Sequence, residues 1–366
     1  MKAAVCREFG KPLEIIDVDL RPPGPGEVEV NIAACAICHT DIHYMDGAWG
    51  GELPAIYGHE AAGNIKALGP GVSGIAIGDP VLVTLIRACG SCRSCSDGNP
   101  VTCETPFDRV KASPLRMREG ERTPIEQGVS TAAFAERVVV DQSQVQKIPS
   151  DIELDVACLL SCGVITGFGA ATNTARVRPG SNVVVIGAGG VGLNSIQGAR
   201  VAGAARVIAV DVIPEKLEGA REFGATDTVL ADNRNAHREA RRLAGGNGAD
   251  YVFVTVGAGS VYEQAPKYLG TRGELVAVGM PASKDMAKWS PLIFAFLGQS
   301  IRGSRMGDAV LSRDIPWIVD LYRQGRVKLD ELVSKRYPLE RINDAIADTR
   351  SGAARRNVVV FGAQER

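Results

Sequence analysis

At 366 residues the chain exceeds what a single hydrophobic core usually serves, so two domains are expected. With 45% apolar and 23% charged residues it has the make-up of a chain that buries a sizeable core, which excludes disorder. A formal net charge of -1 spreads no field that would gather nucleic acid or an anionic membrane surface, and a small molecule is the expected partner.

In chain order, the opening MKAAVCREFGKPLEIIDVDL alternates apolar and charged residues and lacks the basic patch, apolar run and cleavage site of a secretory leader. No uninterrupted apolar run reaches the roughly 18 residues of a membrane span. Short Val/Ile/Ala-rich runs at 28–34, 80–86 and 134–140, separated by PPGPGE and LGPGVSG, predict a β-rich first unit with irregular loops. The segment 104–128, rich in charge and proline, reads as a loop bordering a substrate entrance. From about residue 180 the runs NVVVIG, ARVIAVD, DTVL, DYVFVTVG, GELVAVG and GQSIRGS alternate with helix-length segments such as 214–223 and 259–268. That alternation predicts a parallel, doubly wound sheet of about six strands. After about residue 305 the chain predicts a helix over 311–324 and a closing NVVVF strand that returns to the first domain.

The strand Val183-Val184-Val185-Ile186 runs into Gly187-Ala188-Gly189-Gly190-Val191-Gly192 and a helical stretch through Ala202, the context in which G-x-G-x-x-G binds a dinucleotide. Gly187 permits the tight turn, Gly189 lets backbone approach a pyrophosphate, and Gly192 lets helix pack on strand, with Gly190 and Val191 between them. Asp211 ends the next strand, nineteen residues beyond Gly192. There it either accepts hydrogen bonds from the adenosine ribose, favouring NAD over NADP, or caps the helix starting near Pro214. Lys216 is a further ribose or phosphate contact, or a solvated lysine.

Nine cysteines is an odd number, and six stand at metal-like spacing, which reads as thiolates in a reducing cytoplasm. Cys89, Cys92, Cys95 and Cys103 form C-x2-C-x2-C-x7-C, four thiolates that a structural zinc would close into a tetrahedron, with an iron–sulfur cluster as the chemical rival. A looser set comprises Cys38-His39-Thr40-Asp41 with His43, then Gly58-His59-Glu60, then Ser161-Cys162-Gly163, and it gathers three of the four histidines. Two thiolates and an imidazole would leave zinc an open position. Taken singly, Cys162 reads as a buried thiol and His59 as a core histidine.

The pieces CHTD, GHEAAG, the four-cysteine loop, SCGVITGFGAA and IGAGGVGLNSIQGARVAGA, in that order, resemble the zinc-containing medium-chain alcohol dehydrogenases over nearly the whole chain. The resemblance implies an α/β protein with a GroES-like, mostly-β catalytic domain over 1–163 and 305–366 and a Rossmann NAD-binding domain over 164–304. It implies two zinc ions, one catalytic on Cys38, His59 and Cys162 and one structural on the four-cysteine loop, with NAD as cofactor. Glu60 is implied near the catalytic metal, and Asp41 as the carboxylate that orients His59. Thr40 is implied against the alcohol oxygen and His43 at the end of a proton relay, a side chain of the type that titrates near neutrality. His39 and Arg356 would contact the pyrophosphate, and Thr166 and Val278 would line the nicotinamide.

Within the family the chain is most similar to the branch that includes glutathione-dependent formaldehyde dehydrogenase. It departs from that branch in carrying His43 where a tyrosine is usual and Phe107 where an adduct-binding arginine stands. Trp49 and Leu85 match positions lining the substrate cleft, which implies an apolar pocket for a primary aliphatic or aromatic alcohol. Two rival functions stand beside alcohol oxidation: a thiol-dependent formaldehyde dehydrogenase acting on an S-hydroxymethyl adduct, and a non-catalytic dinucleotide-binding subunit. The family pairs the sheet edge near Gln299–Ser304 across a two-fold axis, which implies a homodimer or homotetramer.

Overall fold

The computed structural model describes residues 1–118, 123–231, 235–352 and 354–362. The chain divides into two compact units: Met1–Cys162 with Val310–Pro316 and Leu329–Arg366, and Gly163–Ala309 with Trp317–Lys328. Among the described residues no single helix is long and apolar enough to cross a membrane.

The first unit is built on two sheets. In one, the strands run in the order Leu115–Met117, Glu14–Leu20, Lys2–Cys6, Ala55–Ile56, Glu126–Gln127. The other runs Val145–Lys147, Pro80–Val83, Glu60–Leu68, Glu27–Ala36, Arg356–Val360, Val333–Pro338, with Arg137–Asp141 also paired to Glu27–Ala36. The period-2 pattern of Val28, Val30 and Ile32 sends these side chains into the core with Tyr57, Phe134 and Ile125. The closing strand is therefore in the first unit, as its sequence suggests. The predicted loop 104–128 contributes two short strands, with residues 119–122 outside the described set.

The second unit holds a parallel sheet in the order Asp227–Leu230, Arg206–Asp211, Asn182–Ile186, Ala249–Val254, Leu269–Ala277, Ser300–Gly303, the doubly wound 3-2-1-4-5-6 arrangement of a Rossmann fold. All six runs read from the sequence are strands in it. Helix Gly190–Val201 packs against helix Gly163–Gly169 so closely that a Cβ on Gly167 would stand 2.1 Å from the Val191 carbonyl oxygen. The segment Trp317–Lys328 joins this unit, although the sequence reading placed everything past 305 in the first. The reason is local: the Trp317 ring packs edge-on against Phe168 at 5.1 Å. Gln197 also holds the Lys328 backbone at both its N–H (2.6 Å) and its carbonyl (3.1 Å).

Candidate active site

Strand register explains how three distant segments of the first unit meet. Strands Glu27–Ala36 and Glu60–Leu68 pair antiparallel with Ala36 opposite Glu60, so Cys38, just past one strand, and His59, just before the other, emerge at the same sheet end. Strand Arg356–Val360 pairs Val358 with Ala36, which brings Arg356 to that end as well. Cys162 follows the short helix Cys158–Ser161, and Ser161 Oγ donates to the Ala61 carbonyl at 2.8 Å, tying it to the His59 strand. Gly58 has φ +93, and a Cβ there would lie 2.6 Å from the Phe134 ring and backbone, so only glycine lets the chain turn into His59.

The outcome is a buried cluster in which one ligand atom each of Cys38, His59, Glu60 and Cys162 lies within 4.8 Å of all the others. Asp41, fully buried, accepts from the Gly58 N–H (2.9 Å), from Cys38 N–H (3.3 Å) and from His59 Nδ1 (2.9 Å). That bond fixes the imidazole with Nε2 turned toward the thiols, and Nε2 is buried with no hydrogen-bond partner. An orphaned buried imidazole nitrogen facing two sulfurs is costly unless a cation completes it. The donor set of two sulfurs and one nitrogen fits zinc, with Glu60 at hand.

The charges are arranged to suit a cation. The hydrogen bond from Cys162 holds the Cys38 thiol well below its ordinary pKa against the opposing effect of burial, with His59 adding to the lowering. The same bond, then burial, pushes Cys162 up. Burial disfavours charge on His59, but the Asp41 carboxylate and Cys38 outweigh it and raise its pKa. Burial lifts Glu60 to about 7, with Arg356 pulling the other way across a 3.5 Å contact. Arg356 thus lies buried against Glu60 beside the thiols, a neighbour that sequence reading did not give it.

Thr40 and His43 stand three residues apart on helix His39–Met45, hence on one face, both half-buried, while His39 is exposed. The His43 ring lies 4.9 Å from Trp49. Leu85 is half-buried at the edge of the first core, and Phe107 lies under the Arg87 guanidinium at 4.0 Å.

The four-cysteine loop also closes. Its Sγ atoms all lie within 4.8 Å of one another, with Cys89–Cys95 and Cys92–Cys103 at 4.0 Å. A tetrahedron with Zn–S bonds of about 2.3 Å has edges of about 3.8 Å. The space suits one ion and leaves no room for a multi-iron cluster. Backbone N–H groups of Ser91 (3.4 Å) and Cys92 (3.2 Å) point at the Cys89 sulfur. A bond from Thr105 and then these amides bring Cys89 down to about 5.

In the second unit, Gly187 has φ +99, and a Cβ on Gly192 would sit 1.8 Å from the Gly187 carbonyl oxygen. Both glycines are demanded by the turn. Gly189 is different: its backbone is extended and a Cβ there would meet nothing within 4 Å. Its missing side chain leaves an open cradle at the N-terminus of helix Gly190–Val201, which suits a diphosphate. Asp211 accepts from Ala188 N–H (2.7 Å) and Ile213 N–H (3.0 Å), so it braces the glycine turn and the following helix start, while each oxygen keeps a lone pair for a ribose. Thr255 Oγ1, which the sequence reading missed, donates toward the carbonyls of Ile186 (3.0 Å) and Gly187 (2.9 Å). A threonine at the end of the adjacent strand was the available signal. Lys216 is half-buried in the first turn of helix Pro214–Glu222, Thr166 donates to Met306 Sδ at 3.6 Å, and Val278 is buried.

Comparison with known proteins agrees with both halves. Residues 24–150 match the alcohol dehydrogenase GroES-like domain, and residues 190–324 match the zinc-binding dehydrogenase domain. An NDMA-dependent alcohol dehydrogenase from Amycolatopsis methanolica is 37% identical, covering 99% of both chains. Among solved structures, an alcohol dehydrogenase zinc-binding domain protein from Burkholderia ambifaria is 36% identical with a TM-score of 0.93, covering 99% of both chains. Benzyl alcohol dehydrogenase from Acinetobacter calcoaceticus is 30% identical with a TM-score of 0.92, again over 99% of each. With this agreement over the whole length, the chain belongs to the zinc-containing medium-chain alcohol dehydrogenase family and is an oxidoreductase.

Proposed function

We propose that the protein interconverts a primary aliphatic or aromatic alcohol and its aldehyde by hydride exchange with NAD, using one catalytic and one structural zinc per chain. The observation that carries this reading is the buried Cys38, His59, Glu60 and Cys162 cluster, whose ligand atoms lie within 4.8 Å of one another while His59 Nε2 has no hydrogen-bond partner. A non-catalytic subunit has no use for such a set. The zinc supplies Lewis acidity toward an alcohol or carbonyl oxygen, and the nicotinamide supplies the hydride acceptor or donor. The chain's own residues do the rest.

Cys38 and Cys162 provide the soft anionic donors, and Asp41 fixes which His59 nitrogen faces them. Arg356 draws the Glu60 carboxylate to one side of the cluster. Thr40 presents a hydroxyl to the alcohol oxygen, and His43, one turn on along the same helix face, passes the proton to solvent. The cradle at Gly189 takes the diphosphate, and Asp211 receives the adenosine ribose and repels a 2'-phosphate, which supports NAD over NADP. Trp49 and Leu85 make an apolar lining, consistent with a relative that is named for benzyl alcohol. The enzyme works in the cytoplasm as a homodimer or homotetramer.

The deciding test is a panel of alcohols offered to zinc-loaded protein with NAD, following the near-ultraviolet absorbance of the reduced nicotinamide. Turnover of primary alcohols without added thiol supports the reading. Activity that appears only with a low-molecular-weight thiol would replace it with S-hydroxymethyl adduct oxidation, and silence across the panel would sink it. Cys162→Ala should lose the catalytic zinc and turnover while still binding NAD.

A further inference from the structure

The loop after helix His39–Met45 has the sequence Asp46-Gly47-Ala48-Trp49-Gly50-Gly51-Glu52, with Gly47, Gly50 and Gly51 at φ +72, +74 and +135. Three glycines in positive-φ positions make an ordered state entropically expensive. Its nearby backbone bonds, Gly47 N–H to Tyr44, Ala48 N–H to His43 and Gly50 N–H to Gly47, only fold the loop onto its own helix. Arg350 holds Asp46 at the start of the loop with two bonds (2.7 and 2.6 Å), and at the far end, past Trp49, Glu52 N–H donates to Glu126 Oε2 at 2.6 Å.

Glu126 is 2% exposed, and its other oxygen lies 3.0 Å from Arg109 Nη2. The Arg109 guanidinium in turn lies over the Tyr44 ring at 5.4 Å, and Tyr44 meets Trp49 edge-on at 5.2 Å. A Cβ on Gly51 would come within 3.3 Å of Glu126 Oε2, so loop and carboxylate are in close contact. For stability alone a well-packed apolar side chain would serve as well as a buried ion pair. A carboxylate at this position can hold a loop amide with one oxygen and a guanidinium with the other.

We propose that Glu126 and Arg109 are positioning residues that clamp the Trp49 loop and, through Trp49, set the wall that bulky alcohols contact and the ring of His43. The inference rests on the proposed role of Trp49 and His43 on the substrate side. A displacement of about 1 Å in such a wall affects large substrates and spares small ones, with discrimination on the order of 10-fold to 200-fold per apolar contact set.

The test uses the full-length enzyme in a Trp289→Phe, Trp317→Phe background, which leaves Trp49 as the one tryptophan of the three. Glu126→Ala should raise acrylamide quenching of Trp49 about twofold and lower kcat/KM for a benzylic alcohol relative to a small aliphatic one about tenfold, chiefly through KM. Glu126→Gln, which keeps an acceptor for Glu52 N–H, should recover much of both. Quenching unchanged in a folded Glu126→Ala variant would overturn the clamp. Raised quenching with no change in the alcohol ratio would overturn its role in specificity. Should Glu126→Ala fail to fold, Arg109→Met carries the same two measurements. If the parent turns over no alcohol, the proposed function falls while the quenching arm still decides whether the clamp exists.

Discussion

Asp41 organises the candidate zinc site without joining it. Three donors converge on its carboxylate, and the one from His59 Nδ1 decides the direction of Nε2. Asn in its place offers a single acceptor oxygen and no charge, so Asp41→Asn should weaken zinc binding about 10–100-fold, measured by competition with a chromophoric chelator. Affinity equal to the parent would mean that Asp41 only caps the helix. The glycine turn permits an equally sharp contrast. Gly192→Ala drives a Cβ to 1.8 Å from the Gly187 carbonyl and should lower the melting temperature with or without cofactor. Gly189→Ala meets open space in an extended backbone, so stability should be unchanged while the Kd for NAD rises about tenfold or more. If Gly189→Ala bound NAD like the parent in calorimetry, the cradle would not be where the diphosphate lies.

Elements differ in how far sequence discloses them. The glycine turn and the four-cysteine loop were legible because each is closed within a few residues and its chemistry fixes the spacing. The central strands of the parallel sheet were legible as continuous apolar runs such as Val183–Ile186 and Val207–Val210, whereas Asp227–Leu230 and the polar, exposed Ser300–Gly303 were legible by their place in the alternation of strands with helix-length segments. Arg356 beside Glu60, and Glu126 beside the Trp49 loop, were not. Those neighbours depend on pairing between strands far apart in the chain, such as Val358 with Ala36, and no local pattern encodes the partner. Trp317–Lys328 was misplaced for a similar reason, since its attachment rests on Phe168 and Gln197 rather than on its own periodicity. The four-cysteine loop is the element whose order should depend most directly on metal. Cys103→Ser should cost one zinc per chain by metal analysis and expose the region around residues 89–111 to proteolysis. It should also lower the melting temperature by several degrees, as a loss of about 2 kcal/mol would. A variant with full zinc content and unchanged protease resistance would show that the thiols do not share an ion.

At the scale of the whole molecule, the second unit carries a surface that a lone chain would have little reason to expose. Helix Pro291–Leu297 reads Pro-Leu-Ile-Phe-Ala-Phe-Leu yet buries none of its residues, with Leu292 76% and Phe296 84% exposed. Beside it in sequence, strand Ser300–Gly303 is the last of the parallel sheet, exposed throughout and paired on one side with Leu269–Ala277. An open edge next to an apolar helix is an aggregation hazard unless something covers it, and a second copy of the same edge would do so by symmetry. Burying a large apolar side chain is worth about 1.5–3 kcal/mol, so a few such residues from each copy supply a substantial part of a stable association. Phe296→Glu combined with Ile301→Lys would place charge in both the helix and the edge. Sedimentation velocity should then show the parent as a dimer or tetramer and the double variant shifted to a smaller species, with the NAD affinity of its glycine turn retained. A parent that sediments as a monomer at micromolar concentration would remove the two-fold pairing and leave this apolar face for a different partner.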